Sequence, residues 1–173
     1  MTIQTERLTL RPFAMRDLKT THAYASDPEN TPYMMSFPSK AKWETRRFLK
    51  KVTAAWKKKA QRIYEFAVEF DGAHIGSAGI FLSEDRHSGS LGWIIRKEYQ
   101  GRGYATEAAR AVMEFARGLG VTAFSARCDA RNAASRRVME KLGMALESQT
   151  TGRGRYKHGP EEEATELKYT LNL

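Results

Sequence analysis

The sequence predicts an α/β (α+β) protein, a mixed seven-stranded sheet flanked by about four helices. Three observations lead there. The 173 residues are 41% hydrophobic and 28% charged, which suits one substantial core in a chain of single-domain size. Stretches of strand character and stretches with helical spacing follow each other as strand, two helices, three strands, helix, strand, helix, two strands. No repeat, low-complexity tract or linker breaks the apolar pattern from Leu8 to Leu171, so residues 1–173 read as one domain.

Each element has its own signal. Leu8, Leu10 and Pro12 alternate with Thr9 and Arg11 as a short first strand, and Asp17 to Ser26 reads as a helix that stops before Asp27-Pro28. Residues 27 to 39 carry three prolines and read as loop. Thr45, Phe48, Leu49, Val52, Ala55 and Trp56 recur at helical spacing. Arg62 to Phe70 is a strand rich in aromatic and branched residues, Asp71-Gly72 is a hairpin turn, and His74 to Leu82 is the returning strand. After a polar loop, Ser83 to Gly89, comes the strand Ser90 to Arg96. Ala105, Ala108, Ala109, Val112, Ala116 and Leu119 mark a long helix closed by Gly118 and Gly120. Val121 to Cys128 is a strand, Asn132 to Leu142 a helix stopped by Gly143, and Met144 to Gln149 and Glu166 to Leu171 are the last two strands.

Composition narrows the function. Eight Phe, seven Tyr and three Trp exclude a disordered chain. No apolar run approaches the roughly 20 residues of a membrane span, and Met1 to Arg7 offers no apolar stretch for a secretory signal. Cys128 is the only cysteine, so no intrachain disulfide forms and a reducing cytoplasm is the expected compartment. The net charge of +9 is concentrated: residues 40 to 62 hold ten Lys or Arg against Glu44 alone, and the rest of the chain balances. This is a basic stripe on one amphipathic helix rather than a nucleic-acid coat. It reads either as a solvated face or as an attractor for an anionic partner.

The stretch Gly92-Trp93-Ile94-Ile95-Arg96-Lys97-Glu98-Tyr99-Gln100-Gly101-Arg102-Gly103-Tyr104-Ala105-Thr106 carries the chemistry. It is a strand, a glycine-containing turn and a helix start. Successive N–H groups in such a turn, with the unpaired N–H groups and dipole of the first helical turn, form an anion cradle. Gly101 and Gly103 let the backbone approach a phosphate, and Arg102 adds charge. A Walker loop would need Gly-Lys-Ser/Thr, which is absent. A dinucleotide fingerprint would need glycine where Thr106 stands and an acid about 20 residues on, yet 115 to 128 contain none. Gln-x-x-Gly-x-Ala at 100 to 105 remains.

That loop resembles the pyrophosphate loop of the GNAT superfamily of acyl-CoA-dependent N-acyltransferases, Gln/Arg-x-x-Gly-x-Gly/Ala after a strand. Three further segments are similar to its RimJ/RimL-type branch: Thr5 to Pro12, Gly92-Trp93, and Asn132 to Met144, which resembles Asn-x-x-Ser…Lys-Leu-Gly-Phe. The resemblance implies a GNAT fold with two parallel strands splayed apart around the pantetheine arm of acetyl-CoA. Ile94 and Ile95 would pair with that arm through their backbone. Gln100, Gly101, Arg102, Gly103, Tyr104 and Ala105 would hold the pyrophosphate, Asn132 would hydrogen-bond the arm, and Ser135 would protonate the departing thiolate or else merely belong to the helix start. A backbone N–H near Ile95 would polarise the thioester carbonyl, while Tyr99 and Tyr104 would point elsewhere. The acceptor would be a primary amine, either a protein or peptide N-terminus (ribosomal proteins among them) or a small molecule.

One departure stands out. Relatives carry Glu two residues before the Gly-Tyr/Trp pair, and here that residue is Ser90. Glu65, Glu84 and Asp85 are the stand-ins for the missing base, each also readable as a solvated acid. The missing carboxylate leaves open a non-catalytic acyl-CoA-binding module, and monomer and homodimer are both left open. His22, His74, His87 and His158 show no metal-ligand spacing, so no metal is expected. No Gly-x-Ser-x-Gly elbow is present. Cys128 reads as an inert core thiol, Met34 and Met35 beside Tyr33 and Phe37 as core or a lid, and Glu161 to Glu163 as a solvated loop.

Overall fold

Eight strands hydrogen-bond into one sheet in a computed structural model that describes residues 1–34, 39–153 and 163–173. They are β1 (Ile3–Gln4), β2 (Leu8–Pro12), β3 (Ile63–Phe70), β4 (Ala73–Leu82), β5 (Ser88–Ile95), β6 (Ala123–Asp129), β7 (Ala145–Arg153) and β8 (Glu163–Asn172), and their order across the sheet is β1-β2-β3-β4-β5-β6-β8-β7. The expected count of seven is corrected to eight by β1, two residues that qualify only through pairing with Leu10 and Thr9 of β2. The helices are α1 (Leu18–Ser26), α2 (Lys42–Ala55), α3 (Tyr104–Arg117) and α4 (Ala133–Lys141). A 3₁₀ turn, Met15–Asp17, precedes α1, where the sequence suggested that the helix itself starts at Asp17.

The two faces of β3 explain the layering. Its side chains alternate between faces. Tyr64 and Phe66 meet Phe115 of α3 edge-on, at ring distances of 5.1 and 5.5 Å. Ala67, on the other face, packs with Phe13, Leu49 and Val52. So α3 covers one side of the sheet and α2 the other. The five-residue run of β2 pairs with β3 from Leu8↔Phe70 to Pro12↔Phe66, and the Asp71-Gly72 hairpin joins β3 to β4 as expected. Asp71 and Gly72 both sit at positive φ, at 48° and 73°, as a two-residue hairpin requires.

The one parallel contact is β5 with β6, and it is short. Only Ser88↔Ala123, Gly89↔Phe124 and Ser90↔Ser125 pair. Beyond them β5 stays with β4 as far as Ile95↔Gly76, and β6 stays with β8 as far as Asp129↔Glu166. The sheet therefore opens between β5 and β6 at the carboxyl ends of both strands. Met35, Phe37, His158, Glu161 and Glu162 lie outside the described residues.

Candidate active site

The opening has one free polar edge. Adjacent residues of a strand direct their N–H and C=O groups to opposite sides. Arg96 N donates to Ile75 O at 2.8 Å, and a Cβ placed on Gly76 would run into the Ile94 carbonyl, so Ile94 and Arg96 face β4. Trp93 and Ile95 therefore turn their backbone groups toward the gap. Of the two residues expected to pair with the arm of acetyl-CoA, Ile95 presents its N–H there, whereas Ile94 contributes only its side chain to the cleft wall. The Ile95 carbonyl is already held, because Gln100 Nε2 donates to it at 2.8 Å.

The loop after β5 is built around two left-handed glycines. Lys97–Tyr99 forms a 3₁₀ turn in which Gln100 N donates to Lys97 O at 3.2 Å. Gly101 (φ +75°) and Gly103 (φ +85°) then reverse the chain into α3. Such φ values cost an L side chain roughly 1–2 kcal/mol. Among the described residues nothing accepts from the N–H groups of Gly101 through Thr106. Six successive donors at a helix N-terminus suit a diphosphate. Of the residues expected around it, Gln100 has its N–H engaged, while those of Gly101, Arg102, Gly103, Tyr104 and Ala105, and of Thr106 beyond them, are open among the described residues.

The back of the loop is clamped from β2. Arg7 Nη1 donates to Arg102 O at 3.0 Å, while its Nε donates to Glu107 Oε2 at 2.7 Å. Thr5 Oγ1 donates to the same carboxylate at 2.6 Å, and these bonds hold Glu107 below the usual carboxylate range against the opposing effect of burial. Tyr104 is buried under Arg7 and stacked on Phe70, 4.8 Å between rings, and Tyr99 also turns its ring to Phe70. The Arg102 guanidinium lies over Tyr99, outside the cleft, so it lends charge without lining the site.

Between these parts runs a cleft of about 370 Å³, within the range of ligand sites. Ser135, at the third position of α4, lines it; its N–H donates to Asn132 Oδ1 at 3.0 Å. Asn132 is thus an N-cap, with only its amide N–H groups left for a ligand. The Ser135 hydroxyl has no partner among the described residues. Among the lining residues that the sequence did not single out, three bear on ligand binding. Arg137 and Lys141 put two cations on one face of α4. Asn30 is 8% exposed, and neither its Oδ1 nor its Nδ2 has a partner among the described residues. A buried amide with both ends unmatched is poised for a ligand, because leaving it so costs about 1–3 kcal/mol. Tyr33 and Met34 also line the cleft, which fits a cover better than core.

The three acids sort themselves. Glu84 is 91% exposed and pairs with Arg62 at 3.4 Å. Asp85 is an exposed loop residue held by Ser83 and His87, which lower its pKa. Glu65 alone is partly buried, and burial pushes its carboxyl up to about 7 against the opposing Ser77 hydroxyl. His74 is buried and donates from Nε2 to Gly76 O at 2.9 Å, with burial lowering its pKa, so its role is structural. Burial likewise raises the Cys128 thiol to about 11, where it is inert. Among the described residues no group of three His, Cys, Asp or Glu could hold a metal ion, and no helix is long and apolar enough to cross a membrane.

Residues 7–145 match the family described as acetyltransferase (GNAT) domain. The chain belongs to the GNAT acetyltransferase family. It is an acetyltransferase whose family uses acetyl-CoA. This GNAT protein is 29% identical over 150 residues to the uncharacterized N-acetyltransferase YnaD of Bacillus subtilis, across 85% of this chain and 84% of that one. A GNAT-family acetyltransferase from Bacillus anthracis superposes with a TM-score of 0.81 at 27% identity, covering 99% and 98% of the two chains. The RimL ribosomal L7/L12 α-N-protein acetyltransferase, solved with coenzyme A, gives a TM-score of 0.85 at 16% identity over 100% and 98%; the likeness is one of fold.

Proposed function

We propose that this acetyltransferase moves the acetyl group of acetyl-CoA to a primary amine, by direct attack on the thioester, in the manner of the RimJ/RimL-type branch. The observation that carries the reading is the set of six N–H groups, Gly101 to Thr106, with no acceptor among the described residues, at the mouth of the gap between β5 and β6. The N–H groups bind the diphosphate, and Arg137 and Lys141 add positive charge on the α4 side. Trp93 and Ile95 pair with the pantetheine arm as a neighbouring strand would. Asn132 Nδ2 and Asn30 are placed to take its amide groups. Acetyl-CoA supplies the activated acyl carbon. The Ser135 hydroxyl protonates the departing sulfur.

The acceptor enters on the face covered by α1 and α2. The α2 cations Lys42, Arg46, Arg47, Lys50 and Lys51, and Lys57 to Lys59 just beyond the helix, are all exposed, and so are Trp43 and Phe48. Such a rim repels polyamines and favours an acidic peptide or an anionic small amine. The test is thiol release from acetyl-CoA across a panel of α-amino peptides, polyamines and anionic amines, beside thermal shifts with acetyl-CoA. Turnover ranked acidic peptide above polyamine is expected. Binding with no turnover on any amine would instead favour a non-catalytic acyl-CoA module.

A further inference from the structure

We propose that Glu65 is the general base of this acetyltransferase, reaching the acceptor amine across a trough that two facing glycines leave open over β4 and β5. The inference rests on the acetyl-transfer reading above and adds a residue to it.

Glu65 pairs with Gly79 across β3 and β4, and Gly79 pairs with Gly92 across β4 and β5. Directly paired residues share a face. Glu65, Gly79 and Gly92 therefore form one row on the α1–α2 side of the sheet, ending at the strand that borders the gap. Ser90, where relatives carry their carboxylate, lies on the same face one row along, opposite Phe81. The acid is thus not missing from this region; it is displaced two strands sideways.

Glycine at both intervening positions makes the displacement workable. The Glu65 carboxylate lies down along the row, so that a Cβ on Gly79 would overlap its Oε2 and come within 2.9 Å of its Cδ. At Gly92 a Cβ would meet nothing within 4 Å, and Gly92 and Ser90 are both exposed. Strands lie about 4.8 Å apart. A carboxylate resting over β4 is therefore about 5 Å from a nitrogen held over Gly92, the span of one water.

Among the described residues the groups found around the carboxyl are uncharged. Tyr24 of α1 and Ser77 of β4 are its hydroxyl neighbours. Trp56, at the end of α2, donates from Nε1 to the Glu65 carbonyl at 3.2 Å and fixes its backbone. Gly92 and Ser90 face it from β5. With no cation beside the carboxylate among the described residues, burial keeps it near neutrality, where a base is both available and strong enough.

The step balances as follows. Glu65 takes one proton from the ammonium form of the acceptor. The freed lone pair forms the carbon–nitrogen bond, the carbon–sulfur bond breaks with its pair on sulfur, and Ser135 hands sulfur a proton. The second proton shed by nitrogen replaces the one Ser135 gave. Amide, thiol and the single proton that Glu65 returns to water are the products.

The experiment uses the full chain, acetyl-CoA and an acidic peptide with a free α-amine, with thiol release followed from pH 5.5 to 9.5. Wild type should show an acid limb in kcat/KM near pH 7. Glu65→Gln should lose that limb and fall about 10²–10³-fold at pH 7.5, with acetyl-CoA affinity unchanged within about twofold. Adding Ser90→Glu to Glu65→Gln should recover part of the rate, since it sets a carboxylate on the same face one row away. Wild-type turnover with a Glu65→Gln rate and pH profile like wild type would overturn the role of Glu65 alone. A wild type that binds acetyl-CoA and acetylates no amine would overturn the acetyl-transfer reading and this inference with it.

Discussion

Replacing Gly103 by valine tests the loop proposed to hold acetyl-CoA. Gly103 sits at φ +85°, and an added Cβ would lie 3.3 Å from Arg7 Nη2, the guanidinium that clamps the loop through Arg102 O. The left-handed backbone alone costs a branched residue at least 1–2 kcal/mol. If the loop relaxes to escape that strain, the N–H groups around residue 103 leave the diphosphate. Each charge-assisted hydrogen bond lost costs about 1.5–3 kcal/mol. One or two lost bonds come to about 1.5–6 kcal/mol, or roughly 10- to 20,000-fold in Kd. Calorimetric titration with acetyl-CoA reads this directly. A pantetheine thioester without the diphosphate is the control, and its weaker affinity should stay within about twofold. A variant with wild-type melting temperature and wild-type acetyl-CoA affinity would refute the cradle.

Four other outcomes follow from the same geometry. Ser135→Ala should lower kcat by about 10²–10⁴ with little change in acetyl-CoA Kd, because the α4 cap uses the Ser135 N–H and not its hydroxyl; steady-state kinetics with direct titration separates the two. Lys57, Lys58 and Lys59 changed together to Glu should raise KM for an acidic peptide and reverse its salt dependence, whereas an unmoved KM would make the stripe a solvated face. Asn30→Leu removes two unmatched buried polar atoms, so it should raise the melting temperature by a few degrees while weakening acetyl-CoA or acceptor binding, and titrations with each tell which. Glu65→Gln should be the more stable protein at alkaline pH: the folded carboxyl at about 7 lies above its unfolded value near 4.3, so wild type loses up to about 4 kcal/mol as pH rises between the two, and the difference in melting temperature should open from pH 4 to pH 8.

Much of the fold was legible because its elements carry periodic patterns of their own. β3, β4 and the hairpin between them stand within one residue of where alternation and Asp71-Gly72 place them. The misses are elements that pairing creates. Ile3–Gln4 is too short for any periodicity and exists through its bonds to Thr9 and Leu10. β7 and β8 run past the expected Gln149 and start before the expected Glu166, because polar Thr150, Thr151 and Gly152 pair with Glu166, Thr165 and Ala164. The basic stretch 40–62 is likewise not one helix: α2 stops at Ala55, and Lys57, Lys58 and Lys59 follow it. At the site, the glycine loop announces itself because positive φ calls for particular residues. Asn30, and the choice among Glu65, Glu84 and Asp85, are invisible in the chain. Their meaning depends on which residues lie across from them, and Gly79 and Gly92 look like ordinary strand glycines until register lines them up with Glu65.

The sheet pays for its function at one seam. An unpaired strand edge is a liability, since its N–H and C=O groups invite another chain. Here the edge of β5 beyond Ser90 is left open inside the molecule rather than at its rim, with β6 and β8 standing beyond it. The surrounding structure secures much of what borders the seam. Gln100 occupies the Ile95 carbonyl, Arg7 ties down the back of the loop, and Asn132 caps α4. Among the described residues the N–H groups of Gly101 to Thr106 and the Asn30 amide have no partner, and the Ile95 N–H faces the gap. These span the length of one extended ligand with an anionic end and an amide-bearing arm. A molecule of that shape restores the hydrogen bonds that the parting of β5 and β6 gave up, so binding and completion of the sheet are one event.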